Sequence, residues 1–138
     1  MTKANDDATF PGAYAREIIT LAGRLGVTPE PLLEGLGMSL AELEKPQTRL
    51  GLEPLTRLVL RAIELTGEPG LAFYMGLHMR LSWHGFLGFA AMTAKNVREA
   101  LSLAERFSRT RTTAISLRVA QEGEIGSLTL EENVDLGA

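Results

Sequence analysis

Two imidazoles, His78 and His84, are the natural starting point, because histidine serves as metal ligand, proton shuttle and pH sensor alike. They lie six residues apart, roughly 240° round an ideal helix, whereas two ligands of one metal on a helix need a spacing of three or four. The chain has no cysteine, which removes thiolate metal sites, disulfides and a cysteine nucleophile together. Ser82 and His84 are close in sequence, but no nucleophile elbow or ordered triad accompanies them. Gly85-Phe86-Leu87-Gly88 is spaced for close helix packing and is neither a P-loop nor a dinucleotide-type phosphate loop. No catalytic, cofactor-binding or metal-binding residue is therefore assigned, and the chain does not read as an enzyme. The chemistry left is ligand recognition, since binding pockets join apolar walls to a few placed polar groups. Tyr74, His78, Arg80, Trp83, His84 and Arg106 could supply those groups, with arginine suited to a carboxylate through two parallel hydrogen bonds. The plainer reading of the same aromatic residues is a core in which each keeps one satisfied polar tip.

These residues fall within 69–107, which holds the only Trp, both His, three of five Met and four of five Phe. A helix is expected from about Gly70 to Met79, mostly buried because Ala72, Phe73, Leu77 and Met79 leave it little polar face. A turn at Leu81-Ser82 leads to Trp83 and His84, and a second apolar helix over His84 to Met92 follows, with Ser82 as its cap. Asn96 caps a third helix, Val97 to about Arg109, with Glu99 at the capping-box position and Glu105 paired to Arg109 at i, i+4.

Ahead of this centre, residues 1–10 read as a flexible lead-in. Pro11 opens a helix whose face is Tyr14, Ile18, Leu21, Ala22 and Leu25, and which Gly26 ends. Thr28 and Ser39 cap two short helices, the second with Glu42 completing a capping box. Helix, turn, helix over 27–45 is also the outline of a DNA-reading unit. Glu30, Glu34, Glu42 and Glu44 against Lys45 alone argue against that use, because phosphates would repel it. Pro46 to Gly51 is a linker, and Pro54 opens an amphipathic helix with the stripe Leu55, Leu58, Val59, Ala62 and Ile63. After Arg111 the period changes from 3.6 to 2: Thr113, Ile115, Leu117 and Val119 alternate with Ala114, Ser116, Arg118 and Ala120. Leu128 and Leu130 repeat the pattern beyond a turn at 121–124, so the two runs form an antiparallel hairpin. The fold class is α+β, a helical N-terminal layer of about six helices followed by an antiparallel β-hairpin.

The 138 residues carry a net charge of −3, with 45% hydrophobic residues, ordinary globular values. Residues 80–111 hold six basic and two acidic groups, while the flanks are acidic. So small a basic block in an acidic chain is a weak nucleic-acid footprint. No secretory signal core or membrane-length apolar run occurs, which points to a cytoplasmic protein without membrane contact.

The run GLAFYMGLHMRLSWHGFLGFAAMTAKNVREAL, then ERF, then SLTLEENVDLG, resembles the N-terminal, arabinose-binding-like effector domain of one branch of AraC-type transcription regulators. The matching features are Gly76, the turn Ser82-Trp83-His84-Gly85, Gly88, the break at Thr93, the Val97–Leu101 helix and the Glu-rich hairpin. The resemblance covers about residues 11–138. It implies a sensor for a small effector that controls a C-terminal DNA-binding domain with two helix-turn-helix units. It also implies that 11–138 is a sensor domain stopping short of its own C-terminal end, with the DNA-binding domain absent, so that DNA is met only through that missing part. The effector is unnamed. A homodimer is expected, because the hairpin leaves a sheet edge open, and a dimerisation or interaction module without small-molecule ligand is the alternative reading.

Overall fold

A computed structural model describes residues 8–136. Two compact units divide the chain: Phe10–Met79, and residues 80–136 with residues 8–9. Among the described residues, seven α-helices and an antiparallel hairpin after them make the fold α+β. Residues 1–7 of the expected lead-in lie outside the described residues.

In the first unit the elements are β1 (Thr9–Pro11), α1 (Gly12–Arg24), α2 (Glu30–Glu34), α3 (Leu40–Leu43), β2 (Arg49–Gly51), α4 (Leu52–Thr66) and α5 (Leu71–His78). Two short strands fall where a lead-in and a linker are expected, and β1 and β2 pair with each other. Three-residue strands carry too little alternation to register as a period. The core joins Ala15, Ile18, Ile19 and Ala22 of α1 to Leu32, Leu43, Leu50, Leu58, Ala62 and Leu71. The buried face of α1 keeps Ile18 and Ala22 of the expected stripe, with Leu21 packed against it, and extends to Ala15 and Ile19. Ala15 and Ile19 are inside, while Leu25 is 45% exposed, because small residues let the neighbouring helices approach. On α4 the expected stripe holds: Leu58 and Ala62 are buried, and Leu55, Val59 and Ile63 pack against the core. Its outer side carries the pairs Arg61–Glu64 at 2.8 Å and Arg57–Glu53 at 3.7 Å.

Ser39 caps α3 as its spacing requires. Its hydroxyl accepts from Glu42 N–H, and Glu42 Oε2 accepts from Ser39 N–H at 2.8 Å. The Ser39 N–H, and the Ser39 hydroxyl, which also donates to Oε2 at 2.8 Å, hold the Glu42 carboxyl below the usual range. α2 and α3 point Leu32 and Leu43 into the core and leave Glu30, Glu34, Glu42 and Glu44 exposed. An outer surface of four carboxylates is what a phosphate backbone repels. The helix α5 departs from expectation. Of its residues only Leu71 is buried, and Phe73 and Leu77 are about two-thirds exposed. A helix apolar all round gives no stripe from which to read its buried side.

The second unit runs through a 3₁₀ turn (Leu81–His84), α6 (Phe86–Met92), α7 (Val97–Phe107), a second 3₁₀ turn (Ser108–Thr110), β3 (Ile115–Glu122) and β4 (Ile125–Glu132). Gly123, at φ 61°, is the first of the two loop residues joining β3 to β4. A type II′ hairpin turn reserves that position for glycine. The register sets Leu117 opposite Leu130 and Val119 opposite Leu128, which gives the hairpin one apolar face. Asn96 caps α7 by accepting from Glu99 N–H, while Glu99 reaches back to Lys95 N–H and not to the cap residue itself. Glu105 was expected to pair with Arg109. Its carboxylate instead accepts from Val119 N–H at 3.0 Å, tying α7 to β3. No helix among the described residues is long and apolar enough to cross a membrane.

Candidate functional site

The residues singled out by type fall in both units. Tyr74 and His78 lie on α5 of the first. Both are exposed, and His78 Nδ1 sits 2.8 Å from the carbonyl of Tyr74, one turn back. Arg80, Trp83, His84 and Arg106 belong to the second. Arg106 is exposed and packs its guanidinium 5.1 Å from the ring centre of its neighbour Phe107. Within the second unit Trp83 and His84 are brought together, half-buried, on the 3₁₀ turn.

That turn is held by three residues. Gly85, not Ser82, stands at the start of α6, and its φ of 62° with ψ of −138° is a backbone region open only to glycine. Gly88 lies against the turn so closely that an added Cβ would sit 1.7 Å from the Leu81 carbonyl oxygen. Arg111, 28 residues beyond Trp83, donates from Nη2 to the Trp83 carbonyl at 3.1 Å. Sequence spacing marks the two glycines as packing residues but carries no signal for Arg111, which arrives from the far side of α7.

His84 is the group of this turn whose titration the fold alters. Burial pushes its pKa down from the ordinary 6.5, and the Arg111 charge pushes it further the same way. The unfolded chain therefore binds a proton more readily than the folded one, so stability should rise with pH across this range. The contribution is present above about pH 6.5 and is lost as pH falls below it. Chemical denaturation midpoints should drop between pH 7.5 and 6, and His84→Gln should flatten that slope. A slope unchanged by the substitution would contradict the assignment. Carboxylate effects, such as those of Glu30 and Glu42, belong to lower pH, since both carboxyls lie below the usual range.

Two clefts, each within one unit, lie elsewhere, and the six residues line neither. In the first unit a cleft of about 500 Å³ runs between α2 and α4. Leu32, Leu36, Leu58 and Leu60 make its apolar wall, and Glu34, Glu64, Arg57 and Arg61 its polar groups. The sequence shows these charges as the solvated side of α4 and the outside of a structural layer. Only the packing of α2 beside α4 makes them one rim. In the second unit a groove of about 490 Å³ lies between α7 and the hairpin, bordered by Val97, Leu101, Val119 and Leu128. Among the described residues no three His, Asp or Glu side chains converge as a metal ion would need.

Residues 26–137 match the family model described as the arabinose-binding domain of AraC transcription regulator, N-term. The chain belongs to this family of transcription-regulator domains. It is 29% identical over 128 residues to the ornithine utilization regulator of Pseudomonas aeruginosa, a match that covers 93% of this chain and 38% of that protein. It is 26% identical over 102 residues to uncharacterized HTH-type transcriptional regulators of Mycobacterium bovis and Mycobacterium tuberculosis, covering 73% of this chain and 30% of each. The chain thus spans 30–38% of the length of the curated relatives it matches.

Proposed function

We propose that this domain is the effector-sensing part of a cytoplasmic AraC-type regulator, and that a small molecule bound here controls a separate C-terminal DNA-binding domain. The observation that carries the reading is the α2–α4 cleft in a chain of this family. It sets two arginines and two glutamates around a leucine wall. Such a rim suits a small molecule bearing both charges on a short aliphatic chain: carboxylate to arginine through paired hydrogen bonds, ammonium to glutamate. The Pseudomonas relative is named for ornithine utilization, and a diamino acid has this chemistry, so ornithine is the first probe. The Trp83–His84 turn, with Arg80 and Arg106 in the same unit, is the other place where an effector would act, while Tyr74 and His78 offer their polar groups on α5 of the first unit.

Variants separate the two locations. If the cleft is the site, Arg57→Ala and Glu34→Gln abolish the ligand-induced rise in melting temperature, while Trp83→Phe and His84→Gln keep it. The reverse pattern would move the site to the Trp83 turn. A second reading, a homodimerisation module, is favoured by a specific observation: every residue of β4 is exposed, including Leu128 and Leu130. Natural sheets rarely leave so long an edge uncovered.

A further inference from the structure

We propose that the α2–α4 cleft reads a basic amino acid at three points, and that Glu53, which lies outside the cleft's lining, takes the α-ammonium. The proposal deepens the effector-sensing reading and rests on it. The rim carries Glu34, Glu64, Arg57 and Arg61, and these charges are not equally available. Arg61 Nη1 donates to Glu64 Oε2 at 2.8 Å, so this pair is satisfied within α4. Arg57 faces Glu53, one turn back on the same helix, with Nε 3.7 Å from Oε1. That is beyond hydrogen-bond length, so the two charges attract without being bonded. The Glu34 carboxylate, on α2, enters no ion pair or hydrogen bond among the described residues.

Three groups are therefore open to a ligand: the Arg57 guanidinium, the Glu53 carboxylate held loosely beside it, and the Glu34 carboxylate on the facing helix. The head of an α-amino acid carries a carboxylate and an ammonium on a single carbon, which is the complement of the Arg57–Glu53 couple. Its carboxylate takes Arg57 through paired hydrogen bonds. Its α-ammonium takes Glu53, which stays beside Arg57 after giving it up. The exchange costs little, because a loose and exposed ion pair contributes little to stability. The methylenes of the ligand lie against Leu32, Leu36, Leu58 and Leu60, and a cationic side-chain end reaches Glu34. This order of charges also sets the selectivity. A neutral side chain leaves Glu34 unused, and an acidic one faces Glu34 and is repelled. The bound ligand joins α2 to α4, two helices that no ion pair links among the described residues.

Nuclear magnetic resonance titration of the chain with three ligands tests the assignment. Ornithine carries all three charges, norvaline lacks the distal ammonium, and δ-aminovalerate lacks the α-ammonium. On the unmodified chain each truncated ligand should bind about fivefold to tenfold more weakly than ornithine, the range of one charge-assisted contact at a partly exposed site. Glu34→Gln should bring ornithine down to the affinity of norvaline. Glu53→Gln should weaken ornithine about fivefold yet strengthen δ-aminovalerate about twofold, because Arg57 loses its competitor. Arg57→Gln should weaken ornithine more than Arg61→Gln does. All four positions are exposed, where substitution seldom disturbs folding. If Glu53→Gln moves both ligands in the same direction, or if Arg57→Gln and Arg61→Gln weaken ornithine equally, the three-point assignment is overturned while the cleft stands. Ornithine binding that neither Arg57→Gln nor Glu34→Gln weakens, or no binding of any of the three ligands, overturns the cleft and the assignment together.

Discussion

Replacing Gly88 with alanine should destabilise the second unit by roughly 3 kcal/mol or more, at the upper end of what overpacking costs. The added Cβ would meet the Leu81 carbonyl oxygen at 1.7 Å and its carbon at 2.6 Å. Both are backbone atoms, so no rotamer change relieves the clash; the Leu81–His84 turn or α6 must move bodily. Moving the turn also strains the Arg111 hydrogen bond to the Trp83 carbonyl. Hydrogen exchange should show the loss in α6 and the turn, with α1 and α4 in the first unit keeping their protection. Equal loss of protection in both units, or a stability change under 1 kcal/mol, would show that the close approach is not what fixes the turn. Gly76→Ala is the matched control, because a Cβ there meets nothing within 4 Å.

Leu43→Ala should cost the first unit about 2–5 kcal/mol, the usual range for truncating a fully buried leucine. Leu43 is 1% exposed and sits in the same cluster as Ile18, Leu50 and Leu58. It is the buried residue of a helix of only four residues that opens on a capping box. Partial collapse into the cavity is hindered, because the chain just beyond, at Thr48, is tied to Gly12 N–H by its carbonyl at 2.8 Å. Leu60→Ala, at a residue 61% exposed, should stay within about 0.5 kcal/mol. Denaturant midpoints read at α1 and α4 measure both. Similar costs for the two leucines would contradict the placement of the core.

Local signals in the sequence were readable where the chemistry is local. Ser39 with Glu42 and Asn96 with Glu99 mark helix starts through bonds three residues long. The change of period after Arg111 marks the hairpin. Burial was less legible. On α1 the expected Ile18 and Ala22 are buried, but Leu25 looks inward only because it is large, and the small Ala15 and the neighbouring Ile19 complete the buried face. Phe73 and Leu77 look buried because they are apolar, but which side of an apolar helix is covered depends on neighbours. Long-range polar contacts left no trace. Glu105 has Arg109 four residues on, in the 3₁₀ turn that follows its helix, and binds Val119 of the strand instead. Arg111 holds a turn 28 residues away. The charged rim of the α2–α4 cleft is invisible for the same reason: its residues come from two helices that tertiary packing alone brings side by side.

The most direct test of the effector-sensing account is the thermal midpoint of this chain with and without ligand, starting with ornithine and extending to other amino acids, sugars and fatty acids. A ligand present at 100 times its dissociation constant should add about 2.7 kcal/mol, a rise on the order of 10 °C for a chain of this size. The account predicts such a rise for one chemical class, charged amino acids first, and its loss in Arg57→Ala. A midpoint that no class of small molecule moves, in a chain that scatters light as a dimer, would contradict effector sensing by this domain and leave dimerisation as its role.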